Sequence, residues 1–203
     1  WVGCFVKLNY SRTIRVGFAF LSISAFWQMY DNVVPLILKN TFEIGDTLAG
    51  SIMAMDNVLA LFMLPIFGAI SDRLTSKYGR RVPFIVVGSI LTILFMLVVP
   101  ATVEKRSLWL FFVSLGFTLL SISIYRSPAV ALMPDVTPAP LRSKANAIIN
   151  LMGALGAVFT LVLTPLLITK AGHQSYYPLF IAVALLILVS VLVVIFTVPE
   201  NKL

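Results

Sequence analysis

Six apolar runs, at 14–38, 48–71, 82–99, 108–133, 145–168 and 179–198, fill most of this 203-residue chain. A helix needs roughly 20 apolar residues to cross about 30 Å of hydrocarbon, and each run approaches or exceeds that length. No water inside lipid satisfies the backbone, so a spanning segment is either a helix or a strand of a closed barrel. Runs this long and continuous are not barrel strands. The expected fold is therefore all-α, a polytopic membrane bundle of six transmembrane helices joined by short loops. With 60% hydrophobic and 11% charged residues, the chain has no means of covering six such helices in water. Its first partner is a lipid bilayer.

A net charge of +7 would suit nucleic acid, but the positions of the cations point elsewhere. Setting the amino end in the cytoplasm puts Lys7, Arg12, Arg15, Arg73, Lys77, Arg80, Arg81, Arg142, Lys144 and Lys202 on one side. The other side holds only Lys39, Lys105, Arg106 and Lys170. This asymmetry is what the positive-inside rule predicts, so the excess charge reports orientation: both termini cytoplasmic, and no nucleic-acid partner. The first run is too long and too rich in polar groups for a cleaved signal peptide, and is expected to be the first span. Cys4, the only cysteine, has no internal disulfide partner.

The runs fall into two classes. The third, VPFIVVGSILTILFMLVV, and the sixth, LFIAVALLILVSVLVVIFTV, are apolar on every face and suit direct contact with lipid. The others carry polar residues at helical spacing. Ser24, Gln28, Asp31 and Pro35 share one side of the first helix, and Asn146, Asn150, Gly153, Ala157, Thr160 and Thr164 share one side of the fifth. Those stripes are expected to face protein or water. The order polar, polar, apolar then repeats, as if one three-helix unit were used twice. Three crossings invert the second unit relative to the first, and inverted repeats of this kind build transporters.

Between the second and third runs lies GAISDRLTSKYGRR, 68–81. Gly68 allows another backbone to come close, Asp72 stands where helix two leaves the membrane, and Arg80 with Arg81 can hold an acidic partner or the phospholipid surface. The full pattern G-x-x-x-D-R-x-x-x-K-x-G-R-R, carried by Gly68, Asp72, Arg73, Lys77, Gly79, Arg80 and Arg81, resembles the loop signature of the major facilitator superfamily. SDRLTSKYGRRVPFIVVG is similar to its sucrose and glycoside cation symporter branch. YRSPAVALMPDVTPAPLRSKANAIINLMGALG, 125–156, resembles the helix four to helix five link of bacterial members. The resemblance implies the amino-terminal six-helix half of a twelve-helix fold, in a bacterial plasma membrane, partnered by a second half or a second copy. It further implies that helices one, two, four and five line a substrate cavity or the interface between halves, with three and six outside. Asp72 with Arg80 and Arg81 would form a cytoplasmic latch that breaks when the cavity faces inward. Apolar Leu119 stands where plant sucrose carriers of that family have a proton-coupling acid.

Asp31, Asp56 and Arg126 fall inside spans, where each costs roughly 2.5 to 3.5 kcal/mol near a helix centre. At 1.5 Å per residue, Asp31 lies about 10 Å and Asp56 about 12 Å below the outer ends of their helices, so both can face one cavity at one depth. A carboxylic acid in a dry site keeps its proton and releases it when water arrives. Asp56 is therefore the first candidate for proton coupling and Asp31 the second. Arg126, about 27 Å along helix four, can pair with a carboxylate, donate to sugar hydroxyls, or reach the cytoplasmic interface. Sugar recognition combines an aromatic platform with amides and hydroxyls, and Trp27, Gln28, Tyr30, Asn57, Ser123, Tyr125, Asn146 and Asn150 join Arg126 as the candidate set.

GALGAV at Gly153 follows no strand and suits close helix packing rather than nucleotide binding. His173 has no second ligand nearby, so no metal is expected. No nucleophile, base and orienter stand in the pattern an enzyme would need, and no cofactor is implied. The expected function is half of a secondary active transporter. It moves a sugar or glycoside by alternating access on a cation gradient, with H+ as coupling ion and Na+ as the other candidate. The competing reading is a six-helix scaffold or a homodimeric channel-like assembly.

Overall fold

The computed structural model describes residues 8–73, 81–168 and 175–197. Among these, six long helices follow one another: α1 (Tyr10–Asn40), α2 (Asp46–Arg73), α3 (Val82–Glu104), α4 (Leu108–Val136), α5 (Arg142–Leu167) and α6 (Tyr177–Thr197). A short 3-10 turn, Ala139–Leu141, leads into α5. The helix starts are locally encoded. Asn9 caps α1 by accepting from the Arg12 amide at 3.1 Å, and α3 opens with a proline in its first turn. The links are tight, with Glu43 (φ 55°) and Arg106 (φ 49°) in left-handed backbone between α1 and α2 and between α3 and α4. Helices α2 to α6 are each long and apolar enough to cross a membrane. At 31 residues α1 is long enough too, and most of its length is buried against other helices, with Asp31 and Asn32 exposed.

Helices α1 and α4 form the centre. α1 packs along α5 and on α6, α4 packs along α3 and on α2, α3 meets α6, and α1 meets α4. Exchanging α1 with α4, α2 with α5 and α3 with α6 turns each of these pairings into another of them or into itself, as two copies of a three-helix unit require. The directions agree. Gly17 faces Met152, Gly156 faces Leu21, and Thr160 donates to the Ala25 carbonyl, so α1 and α5 run parallel. Gly88 meets Tyr125 and Phe95 stacks on Phe117, so α3 and α4 run antiparallel.

The core lies between α1, α3, α4 and α6, around Phe26, Ile85, Met96, Phe111, Ile122 and Ile187. As expected of helices that touch lipid, α3 and α6 bury one face and expose an equally apolar one, such as Val87, Ile90 and Leu94 or Leu185, Leu188 and Val189. The flanking helices bury far less. α2 buries little beyond Ala49, Asp56 and Ser71 and exposes Leu61 at 69% and Phe62 at 59%. On α5 the seam against α1 is made by Ala145, Ile149, Gly153, Gly156 and Thr160, while Asn146 and Asn150 stand exposed beside it. Small residues let the two backbones touch, so they fix the rotation of α5 and turn the asparagines to its flank.

Candidate functional site

The three buried residues of α2 form a narrow stripe, and Asp56, 6% exposed, is its charged member. Buried Tyr30 of α1 lies beside it, and Asp31 is close enough to act electrostatically on both. One turn back on α1, Trp27 packs edge-on against Tyr30 (ring centroids 5.5 Å) and Phe26 (5.7 Å). The Arg126 guanidinium of α4 sits 5.3 Å from the centre of the Trp27 ring, a contact worth about 0.5 to 2 kcal/mol depending on desolvation. Trp27, Asp56 and Ser123 line one small cavity between α1, α2 and α4, walled by Leu59, Ala60 and Leu119 among others. The Ser123 hydroxyl donates to the Leu119 carbonyl at 2.8 Å, which leaves its lone pairs as acceptors.

Five predicted residues thus converge: Trp27, Tyr30, Asp56, Ser123 and Arg126, with Asp31 at the edge. Gln28 is half-buried on α1, its carbonyl accepting from Asn32 at 2.7 Å. Asn57 is exposed on α2, and Asn146 and Asn150 are exposed on α5. Tyr125 is not part of the cluster. It is fully buried, its hydroxyl 2.7 Å from Ser22 Oγ and 3.3 Å from the Ala19 carbonyl, because Gly88 lets α3 press against its backbone and turn the ring toward α1. It packs α1 to α4.

Where α2 ends, α3 begins and α4 ends, a second arrangement joins the three helices. Arg81, 8% exposed at the start of α3, pairs through Nε with Asp135 Oδ2 of α4 (2.8 Å) and through Nη2 with Asp72 Oδ1 of α2 (2.8 Å). Its Nη1 donates to Ser71 Oγ at 3.0 Å. The planar fork of guanidinium donors is what allows one residue to serve three partners in different directions. Arg73 is exposed, and Lys77, Gly79 and Arg80 lie outside the described residues. Gly68 does mark a close approach, but to a side chain: a Cβ there would stand 3.1 Å from Ser127 Oγ, which donates to the Leu64 carbonyl at 2.9 Å. Sequence reasoning missed Asp135 as the partner of Arg81. The residue lies within the 125–156 stretch, but nothing local reveals that the end of α4 meets the start of α3.

Over residues 16–203 the chain matches the Major Facilitator Superfamily. It is 26% identical over 174 residues to sucrose transport protein SUC3 of Arabidopsis thaliana, an alignment covering 75% of this chain and 28% of that protein. To sucrose transport protein SUC4 of the same plant it is 33% identical over 115 residues, covering 48% of this chain and 22% of that protein. The chain therefore spans less than a third of the length of these relatives. With membrane-length helices in an exchange-symmetric bundle and a family match over nearly its whole length, this is an integral membrane protein that belongs to the major facilitator superfamily.

Proposed function

We propose that the chain is one six-helix half, the amino-terminal one, of a secondary active transporter that carries a sugar or glycoside by alternating access on a proton gradient. The observation that carries this reading is the convergence of buried Asp56 with Tyr30, Trp27, Ser123 and Arg126 at the meeting of α1, α2 and α4. A membrane carboxylate, an aromatic platform and a guanidinium fork are the parts that proton-coupled sugar uptake needs. The relatives' printed roles in sucrose transport support the substrate class. Leu119 lines the same cavity as Asp56, so the acid that the resemblance places on helix four is supplied from α2.

In this reading, protonation of Asp56 from outside neutralises a charge that is expensive in a dry bundle. The substrate then stacks on Trp27 while Arg126 donates to its hydroxyls. Inward opening wets the carboxylate and frees the proton. The Arg81 tie to Asp72 and Asp135 holds the inner ends of α2, α3 and α4 together as one body during that motion. A second half, or a second copy, covers the apolar flanks of α2 and α5, and both termini face the cytoplasm of a bacterial cell. Reconstitution of the natural protein containing this chain into liposomes tests the proposal. Labelled sucrose or an aryl glucoside should accumulate under an inward proton gradient and equilibrate without one. Absence of gradient-driven accumulation of either would refute it.

A further inference from the structure

Two polar atoms at the Asp56 cavity are buried without a hydrogen-bond partner: Asp56 Oδ1, an acceptor, and Trp27 Nε1, a donor. Both residues line the cavity, and Asp56 as a whole is 6% exposed. The third polar liner, Ser123 Oγ, has spent its proton on the Leu119 carbonyl and can only accept. The space open to the centre of a water molecule is about 10 Å³, close to the minimum that holds one water. A buried water typically makes about three hydrogen bonds, and this cavity offers one donor and two acceptors.

We infer that the cavity binds a single water that accepts from Trp27 Nε1 and donates to Asp56 Oδ1 and Ser123 Oγ, and that this water delivers the proton to Asp56 while excluding sodium. The inference rests on the reading of Asp56 as the coupling acid and adds the group that relays its proton. A sodium ion leaves its hydration shell only for several oxygens at once. Here it would find two, among Leu59, Ala60, Met63 and Leu120, beside the unpartnered indole N–H of Trp27, a donor that repels a cation. Water suits all three groups. In the transfer, the water takes a proton from the outer solvent and passes one of its own hydrogens to Oδ1. The water is regenerated and the carboxylate becomes the acid. Among the described residues, the titratable groups that act on Asp56 are Tyr30 and Asp31 from α1, while Arg126 from α4 sits on the Trp27 ring.

Infrared difference spectroscopy of the purified full-length protein during a pH titration tests this. A carboxylic acid C=O band that disappears in Asp56→Asn belongs to this residue. Trp27→Phe, which removes the donor but keeps a ring, should shift that band and abolish an ordered-water O–H signal that moves in 18O water. Ala60→Val fills the space with both polar groups intact and should have the same effect, so a folding defect in one variant does not decide the result. Replacing choline chloride by sodium chloride at constant pH should leave the band unchanged. A band and O–H signal indifferent to both variants, or an acid band removed by sodium, would overturn the inference. Uptake is measured separately: if these spectra appear while no sugar accumulates, the water site stands and the transport reading fails.

Discussion

The seam between α1 and α5 makes a sharp prediction for Gly156→Ala. A Cβ at 156 would lie 1.9 Å from the Leu21 carbonyl oxygen and 2.7 Å from its carbon. Ordinary C···O contacts across close helices are about 3.3 to 3.6 Å, so the helices must separate locally by about 1.5 Å. That opening stretches the bond from Thr160 Oγ1 to the Ala25 carbonyl, now 3.1 Å, beyond useful length, a loss of about 1 kcal/mol. It also loosens the contacts of Gly17 with Met152 and of Gly153 with Ser24, for an overpacking cost of about 1 to 3 kcal/mol. Against this stands the gain of roughly 0.5 to 1 kcal/mol from replacing glycine in a helix. The net destabilisation is about 1 to 3.5 kcal/mol. Gly116 of α4 is the control: nothing lies within 4 Å of its added Cβ, so Gly116→Ala should be neutral or stabilising by up to about 1 kcal/mol. Unfolding of the two variants in mixed micelles, followed by circular dichroism, measures the difference. Equal stability of Gly156→Ala and Gly116→Ala would refute the close α1–α5 approach.

At the Arg81 tie, Arg81→Ala should cost about 1 to 2 kcal/mol, because it removes charge-assisted hydrogen bonds to Asp135 and Asp72, whose carboxylates are 35% and 57% exposed. Asp72→Asn alone should cost under about 1 kcal/mol, since that carboxylate is 57% exposed; micellar unfolding distinguishes the two, and equal losses would contradict the assigned hierarchy. In the α1–α4 core, Ser22→Ala and Tyr125→Phe should each cost about 1 kcal/mol, and the double variant less than their sum, because they share one hydrogen bond; strict additivity would show that the hydroxyls do not interact. Arg126→Gln should alter the fluorescence of Trp27 and raise the sugar KM about tenfold, the loss of a guanidinium stacked on the binding platform. Unchanged fluorescence and KM would remove Arg126 from the site.

The fold was largely legible because a membrane permits so few solutions: runs near 20 residues become helices wherever they occur. The polarity order also anticipated the exchange symmetry, since α1 and α4 could not carry their polar groups except at the centre. Rotation about the helix axis was less legible. Asn146 and Gly153 share a side of α5, but without a hydrophobic force between helices in lipid, small residues decide which part of that side meets its neighbour. The GALGAV stretch carried that signal. In the candidate site, depth and chemistry single out Asp56 and Trp27, which the structure places at one cavity, whereas the contacts of Trp27 with Arg126 and of Arg81 with Asp135 join helices far apart in the chain. Local pattern holds no record of such pairs. Tyr125 looked like a binding residue because an aromatic hydroxyl in a span suits a ligand and a core equally well.

The central claim is that Asp56 couples a proton to sugar movement, and the most direct measurement compares two modes of transport in Asp56→Asn. Asparagine keeps the shape of the side chain but cannot cycle between acid and carboxylate. Sugar exchange between the two faces of a liposome should persist, while accumulation driven by a proton gradient should vanish. Accumulation at the wild-type rate, with the wild-type dependence on pH, would contradict the account.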